Sequence, residues 1–207
     1  LEHDWLVNED KSIRVLDALC ATGVRIRRWR NEIPSQSQNR LRITANDLDA
    51  FALNWARQSH STHPPHQTIE HEPEDDRYGK TSNQVFENGL DFRQMDARIA
   101  MLETGYQWID LDPFGSPVQF LDAALQGLSR TGVLEITATD TAALTGSSAS
   151  SQARRYGAKG IVDVYAHDDA VRLLLATVAT SAARLDKTVI PLLALFDGHH
   201  VRVSCLI

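Results

Sequence analysis

A chain of 207 residues, 43% hydrophobic and 23% charged, can bury a sizeable core and has the make-up of an ordinary globular protein. No apolar run reaches the ~18 residues of a membrane span, and 1-LEHDWLVNEDKS-12 lacks the basic and apolar regions of a signal peptide, so a soluble cytoplasmic protein is expected. The formal charge of -6 argues against a surface built wholly for nucleic acid, where phosphate contacts require a basic excess.

The first strand pattern, 13-IRVLDAL-19, runs into a turn of small residues, 17-DALCATG-23. The following 25-RIRRWR-30 sets four arginines around a tryptophan; charge alone makes it a solvated helix face, with Arg154 and Arg155 read the same way. A second strand, 41-LRITAND-47, precedes another helical stretch. Residues 59 to 84 are polar, proline-containing and almost without aliphatics, so they cannot repay the entropy of ordering, and a disordered insertion is expected. Its histidines His60, His63, His66 and His71 have a metal-like spacing but no cysteines or scaffold around them, and no metal site is expected. Cys20 and Cys205 show no metal spacing either and are expected to be buried free thiols.

Strands at 90-LDFRQMD-96, 105-GYQWIDLD-112 and 132-GVLEITATD-140 continue the alternation with helices, which implies a doubly wound α/β sheet, mainly parallel. Ser116 and Pro117 read as N-cap and first residue of a helix whose apolar face is Phe120, Leu121, Ala124, Leu125 and Leu128. Val171, Leu174, Leu175, Val178, Ala179 and Ala182 mark another buried stripe. The runs 188-TVIPLLALF-196 and 201-VRVSCLI-207, separated by 197-DGHH-200, signal an antiparallel hairpin.

In such a sheet, ligands bind beyond the carboxyl ends of the strands, and that edge is where the acids fall. The first turn has the single glycine Gly23 instead of a G-x-G-x-x-G fingerprint, and Asp17 would repel a pyrophosphate. A nicotinamide cofactor is therefore disfavoured. Asp17, Ala18, Thr22 and Gly23 suit a zwitterion with an ammonium group, Asp47 followed by Leu48 suits a ribose, and Asp96 with Ala97 an adenine amino group. Each acid alone could be a helix cap; three in register with the small-residue turn favour S-adenosylmethionine. Asp49 is the rival for the ribose, but an acid in the first helical turn is expected as an N-terminal charge complement.

At the fourth strand, 112-DPFG-115 suits the methylation of a planar amine. The lone pair of an exocyclic amine is delocalised into its ring. Asp112 and the Pro113 carbonyl could each accept an N–H and turn that lone pair toward a methyl group, with Phe114 packed on the base and Gly115 allowing close backbone approach. The alternative is an ordinary Asp-capped turn.

The ordered set 16-LDALCATGVRIRR-28, 45-ANDLD-49, 95-MDA-97, 110-DLDPFGSPVQFLDAAL-125, 137-TATDTAALTG-146, 154-RRYGAK-159, 165-YAHDDAVRLLLA-176 and 192-LLALFDGHHVRV-203 resembles the tRNA (guanine-26 N2)-dimethyltransferase family. The resemblance implies the seven-stranded class I methyltransferase sheet, and transfer of one or two methyl groups from S-adenosylmethionine to the N2 of a tRNA guanosine. It gives Arg25 to the methionine carboxylate, Asp47 to the ribose, Asp96 and Ala97 to the adenine and Asp112 to the target amine. Asp110 stands behind Asp112 as support or second acceptor, with Thr139 and Asp140 close by, and His167 matches a histidine of the pattern that could equally cap its helix.

Residues 1 to 12 do not match the family's upstream signature, Thr145 stands where a cysteine is usual, and the chain stops before the family's tRNA-engaging C-terminal domain. One catalytic domain over residues 1 to 207, a core without that domain, is expected. Methylation of another planar amine, an adenine N6 or a protein amide, and a non-catalytic cofactor- or RNA-binding core are the competing readings.

Overall fold

The computed structural model describes residues 11–62 and 89–207. Among them, seven strands form one sheet in the order β3-β2-β1-β4-β5-β7-β6. They are β1 (Ile13–Asp17), β2 (Leu41–Asn46), β3 (Leu90–Arg93), β4 (Tyr106–Leu111), β5 (Leu128–Ala138), β6 (Ile190–Phe196) and β7 (Val201–Leu206). The first five run parallel; β7 is antiparallel to β5 and to β6. The expected doubly wound sheet with a closing hairpin is thus what the chain forms.

The helices are α1 (Val24–Glu32), α2 (Ser35–Gln38), α3 (Ala50–Thr62), α4 (Ala97–Leu102), α5 (Val118–Gly127), α6 (Thr141–Leu144), α7 (Ala149–Tyr156) and α8 (Ala166–Ala183). They cover two faces because strand side chains alternate. Val15, Ile43 and Leu90 pack with Ile26 and Leu53 on one face; Leu16, Ile109 and Leu134 pack with Leu121, Leu125, Leu174 and Val178 on the other. Each such fully buried aliphatic contributes roughly 1.5–3 kcal/mol.

Several boundaries differ from expectation. The parallel pairing of Tyr106 with Leu128 draws Leu128 out of the helix stripe and into β5. Pro117, with helical angles, takes the N-cap position, and α5 starts one residue later than expected. Ser116 Oγ accepts the Val118 N–H at 3.5 Å and donates to Tyr156 Oη at 3.1 Å. Ala179 is exposed, whereas Ser181 takes a buried place on α8.

Residues 59 to 62, the start of the expected insertion, belong to α3, which runs through Thr62. His60, in that helix, is half-buried at 3.2 Å from an Arg30 guanidinium nitrogen; burial first and that neighbour second push its imidazole down to about 4. The rest of the expected insertion, with His63, His66 and His71, lies outside the described residues. The arginine cluster is no solvated face either. Only Arg28 fits that description, paired with Glu32 one turn on; Arg30 is buried, Arg27 donates to Ser59 Oγ, and Trp29 packs against Trp108 in a tilted pair with ring centroids 5.1 Å apart. Cys20 and Cys205 are buried free thiols, as expected. No helix among the described residues is long and apolar enough to cross a membrane.

Candidate active site

The parallel strands β1, β2, β3 and β4 end together at one edge of the sheet, and the polar residues that close them meet there. Asn46, the buried last residue of β2, donates from one side-chain nitrogen to the carbonyls of Ala18 at 2.9 Å and Met95 at 3.1 Å. It fastens the loops after β1 and β3 to β2, a role that its type and its place beside Asp47 do not signal.

Asp47 follows at once. Its Oδ2 accepts the Ala21 N–H at 2.8 Å and its Oδ1 the Asp49 N–H at 2.9 Å, so it fixes the first turn from below. In that turn Gly23 has φ 73°, and a Cβ there would stand 2.9 Å from the Ala56 methyl, so conformation and close approach both demand glycine. Thr22 and Leu48 lie exposed along the rim and Ala18 is buried beneath it. Asp49 caps α3 by accepting the Phe51 N–H, in line with its expected role at the helix start.

Asp96 caps α4, accepting the Arg98 N–H at 2.9 Å while the Arg98 guanidinium grips its carboxylate. Those bonds hold its acid down to about 2. Ala97, the first residue of α4, turns its methyl into the core. The cap role and a place at the adenine are compatible, because a carboxylate has about four acceptor sites.

Asp17 is different. It is buried, and neither carboxylate oxygen has a hydrogen bond of good geometry among the described residues; the Leu19 N–H is a weak donor toward it. Burial first, and the neighbouring Asp110 second, push it up to about 8. A buried acid with no stronger donor than that amide is costly to ionise unless a cationic ligand comes to it.

Asp110 and Asp112 are held by one guanidinium. Arg25, on the first turn of α1, donates from Nη1 to Asp110 Oδ1 at 2.9 Å and from Nη2 to Asp112 Oδ2 at 2.5 Å. Asp110 is fully buried, whereas Asp112 is 29% exposed, with its Oδ1 free of any partner among the described residues. The resemblance gives Arg25 to a methionine carboxylate; these two bonds use two of its five N–H groups, so it can hold both aspartates and still donate to a carboxylate.

The turn after β4 then displays its aromatic. Pro113 is buried and Phe114 fully exposed. Gly115 sits at φ 84°, and a methyl added there would meet no protein atom within 4 Å, so within the chain it is the left-handed turn that requires the glycine. Its amide donates to Thr139 Oγ1 at 2.6 Å and its carbonyl accepts the Thr139 N–H at 3.0 Å. Asp140 next door accepts from Tyr156 Oη at 2.7 Å and from Arg155 at 2.9 Å. The structure therefore brings Asp17, Arg25, Asp110 and Asp112 into one charged cluster and ties Thr139 to the turn. His167 does not cap α8; it stacks on Phe196 with centroids 4.3 Å apart.

A protein-family model described as N2,N2-dimethylguanosine tRNA methyltransferase matches residues 3–207. The tRNA (guanine(26)-N(2))-dimethyltransferase of Thermococcus kodakarensis is 36% identical over 191 residues, 91% of this chain and 48% of that protein. The enzyme of the same name from Schizosaccharomyces pombe is 37% identical over 190 residues, 91% of this chain and 30% of its own length. The structure of Trm1 from Pyrococcus horikoshii with S-adenosyl-L-methionine superposes with a TM-score of 0.77 at 28% identity, covering 94% of this chain and 50% of that one. The chain thus spans about half or less of the length of these relatives. With the methyltransferase sheet order and the D-P-F-G turn in place at its edge, this chain belongs to the N2,N2-dimethylguanosine tRNA methyltransferase family.

Proposed function

We propose that this chain forms the catalytic core of an S-adenosylmethionine-dependent enzyme that methylates the N2 of a tRNA guanosine, position 26 by its relatives' names. The observation that carries the reading is the pairing of a buried Asp17 that lacks any well-formed hydrogen bond among the described residues with an Asp112 whose Oδ1 is open at the same strand edge. The cofactor's parts have residues to meet them. Asp17 faces the ammonium, with Ala18, Thr22 and Gly23 as the turn around it; Arg25 serves the carboxylate; Asp47 takes the ribose hydroxyls and Leu48 covers the adenine beside Asp96 and Ala97. When bound, S-adenosylmethionine supplies an electrophilic methyl group.

The chain's own residues prepare the nucleophile. Phe114 offers an exposed ring on which a guanine can stack. Asp112 Oδ1 and the Pro113 carbonyl accept the two N–H groups of the amine, which localises its lone pair and holds it on line for attack. As the nitrogen would take the methyl group, with the S–C bond pair staying on the cofactor's sulfur, positive charge grows on nitrogen and the Asp112 carboxylate stabilises it, then takes up the proton that must leave. Asp110 supports this from behind through Arg25. One catalytic domain, cytoplasmic and acting on tRNA, completes the reading.

Unmodified tRNA transcripts incubated with labelled cofactor and the protein at its full natural length, then digested to nucleosides, provide the test. N2-methylguanosine or N2,N2-dimethylguanosine from position 26 is expected. Label on an adenine N6, on protein, or nowhere would refute the assignment.

A further inference from the structure

Asp17, Asp110, Glu135 and Ser204 are successive register partners across β1, β4, β5 and β7. One row of polar side chains therefore crosses a sheet whose buried parallel strands are ordinarily aliphatic. At its centre Asp110 is fully buried, and each of its oxygens meets a different guanidinium: Oδ1 accepts from Arg25 Nη1, and Oδ2 from Arg202 Nη2, both at 2.9 Å. Arg202 comes from β7, the antiparallel strand, on the side of the cluster away from the cofactor turn.

Arg202 is itself braced. Its Nη1 donates to Thr137 Oγ1 at 2.7 Å, and its Nη2 lies 3.3 Å from Glu135 Oε2. The other Glu135 oxygen accepts from Ser204 Oγ at 2.7 Å. Thr137 and Arg202 are cross-strand neighbours, so the guanidinium projects from a fixed point on the sheet. A chain of charge-assisted bonds runs from Ser204 through Glu135, Arg202, Asp110 and Arg25 to Asp112.

We propose that Arg202 is a positioning residue for methyl transfer: it fixes Asp110, Asp110 fixes Arg25, and Arg25 presents Asp112 with one oxygen open to the target amine. This rests on the function proposed above. The charges explain why a second arginine is needed. Asp17, Asp110, Asp112 and Glu135 face two guanidinia, Arg25 and Arg202. Burial pushes Asp110 upward, and Arg202 followed by Arg25 opposes that push. Without Arg202, a desolvated Asp110 beside Asp17 and Asp112 relieves its charge by taking a proton. A neutral Asp110 no longer holds Nη1, and Arg25 is left to fork both oxygens of Asp112, closing off the acceptor.

The test compares wild type, Arg202→Gln, Arg202→Lys and Thr137→Val at full natural length. Arg202→Gln is expected to lower kcat on the order of ten- to a hundred-fold through misplacement of Asp112, with KM for the cofactor nearly unchanged. The acid limb of its pH–rate profile moves to higher pH by about one unit, since a cation has left a carboxylate. Arg202→Lys restores the limb but only part of kcat, because a lysine cannot reach Thr137 and both acids at once. Thr137→Val keeps the charge and shows a smaller kcat loss. Carbon-13 titration of Asp110, assigned with Asp110→Asn, needs no substrate: it must move upward in Arg202→Gln. An unmoved titration, or a wild-type pH profile and kcat in Arg202→Gln, overturns the proposal. Failure of wild type to methylate tRNA refutes the functional reading instead, and the Asp110 titration still decides the anchor.

Discussion

Gly115 and Thr139 exchange two hydrogen bonds, amide to Oγ1 at 2.6 Å and carbonyl to amide at 3.0 Å. The 112-DPFG-115 turn after β4 and the 137-TATD-140 segment at the end of β5 are thus one structural unit. The exposed Phe114 ring is presented from a turn anchored on its far side.

Thr139→Val removes one of the two bonds and leaves the other. The expected outcome is a several-fold lower kcat with cofactor affinity unchanged, read by steady-state kinetics beside calorimetry. Gly115→Ala tests the turn's conformation alone, because a methyl there meets nothing. It is expected to cost about 1–2 kcal/mol in denaturant unfolding, the penalty of a left-handed residue. Gly23→Ala should cost more, since its methyl would also press on Ala56.

Asp17 couples cofactor binding to proton release. Its acid is pushed up to about 8, so the site holds a proton at pH 6.5, and an arriving ammonium favours the ionised form. Calorimetry at pH 6.5 in buffers of differing ionisation enthalpy is expected to show close to one proton released on binding S-adenosylmethionine, and none for Asp17→Asn. The same shift acts on stability. The folded state binds this proton more tightly than the unfolded state, so the contribution is fully present below pH 3.8, declines as pH rises, and is lost above about 8. Asp17→Asn should flatten the fall in stability across that window.

Tyr156→Phe removes the hydroxyl that joins Ser116 to Asp140. Burial holds this phenol well above its ordinary range, so it is a neutral donor at working pH. Loss of the bond leaves an Asp140 oxygen in a nearly buried position without its donor, a cost of about 1–3 kcal/mol. Thermal unfolding should show that loss, and Tyr156→Ala a larger one.

The sheet and its closing hairpin were legible because aliphatic runs, Asp-Gly and small-residue turns act locally. That Asp17, Asp47, Asp96 and Asp112 gather at one edge was legible too, since each closes or follows a parallel strand; that Asp96 caps a helix and Asp47 braces the first turn was not. Arg202 was not: it sits 92 residues from Asp110 along the chain, and only antiparallel pairing of β7 with β5 brings the two together. Asn46 looked like one more polar residue beside Asp47, yet its side chain's two bonds to carbonyls fasten the loops after β1 and β3 to β2. The cluster 25-RIRRWR-30 misled because composition cannot separate the face of α1 turned to Asp110 from the face turned to solvent. Four arginines on it have four different surroundings.

The central claim is that Asp112 acts on the target amine and not on the cofactor. Asp112→Ala measured by calorimetry and by single-turnover methyl transfer to a tRNA transcript tests it directly. Unchanged affinity for S-adenosylmethionine, with methyl transfer reduced on the order of a hundred-fold or more, is the predicted result. Equal loss of both, or transfer at the wild-type rate, would contradict it.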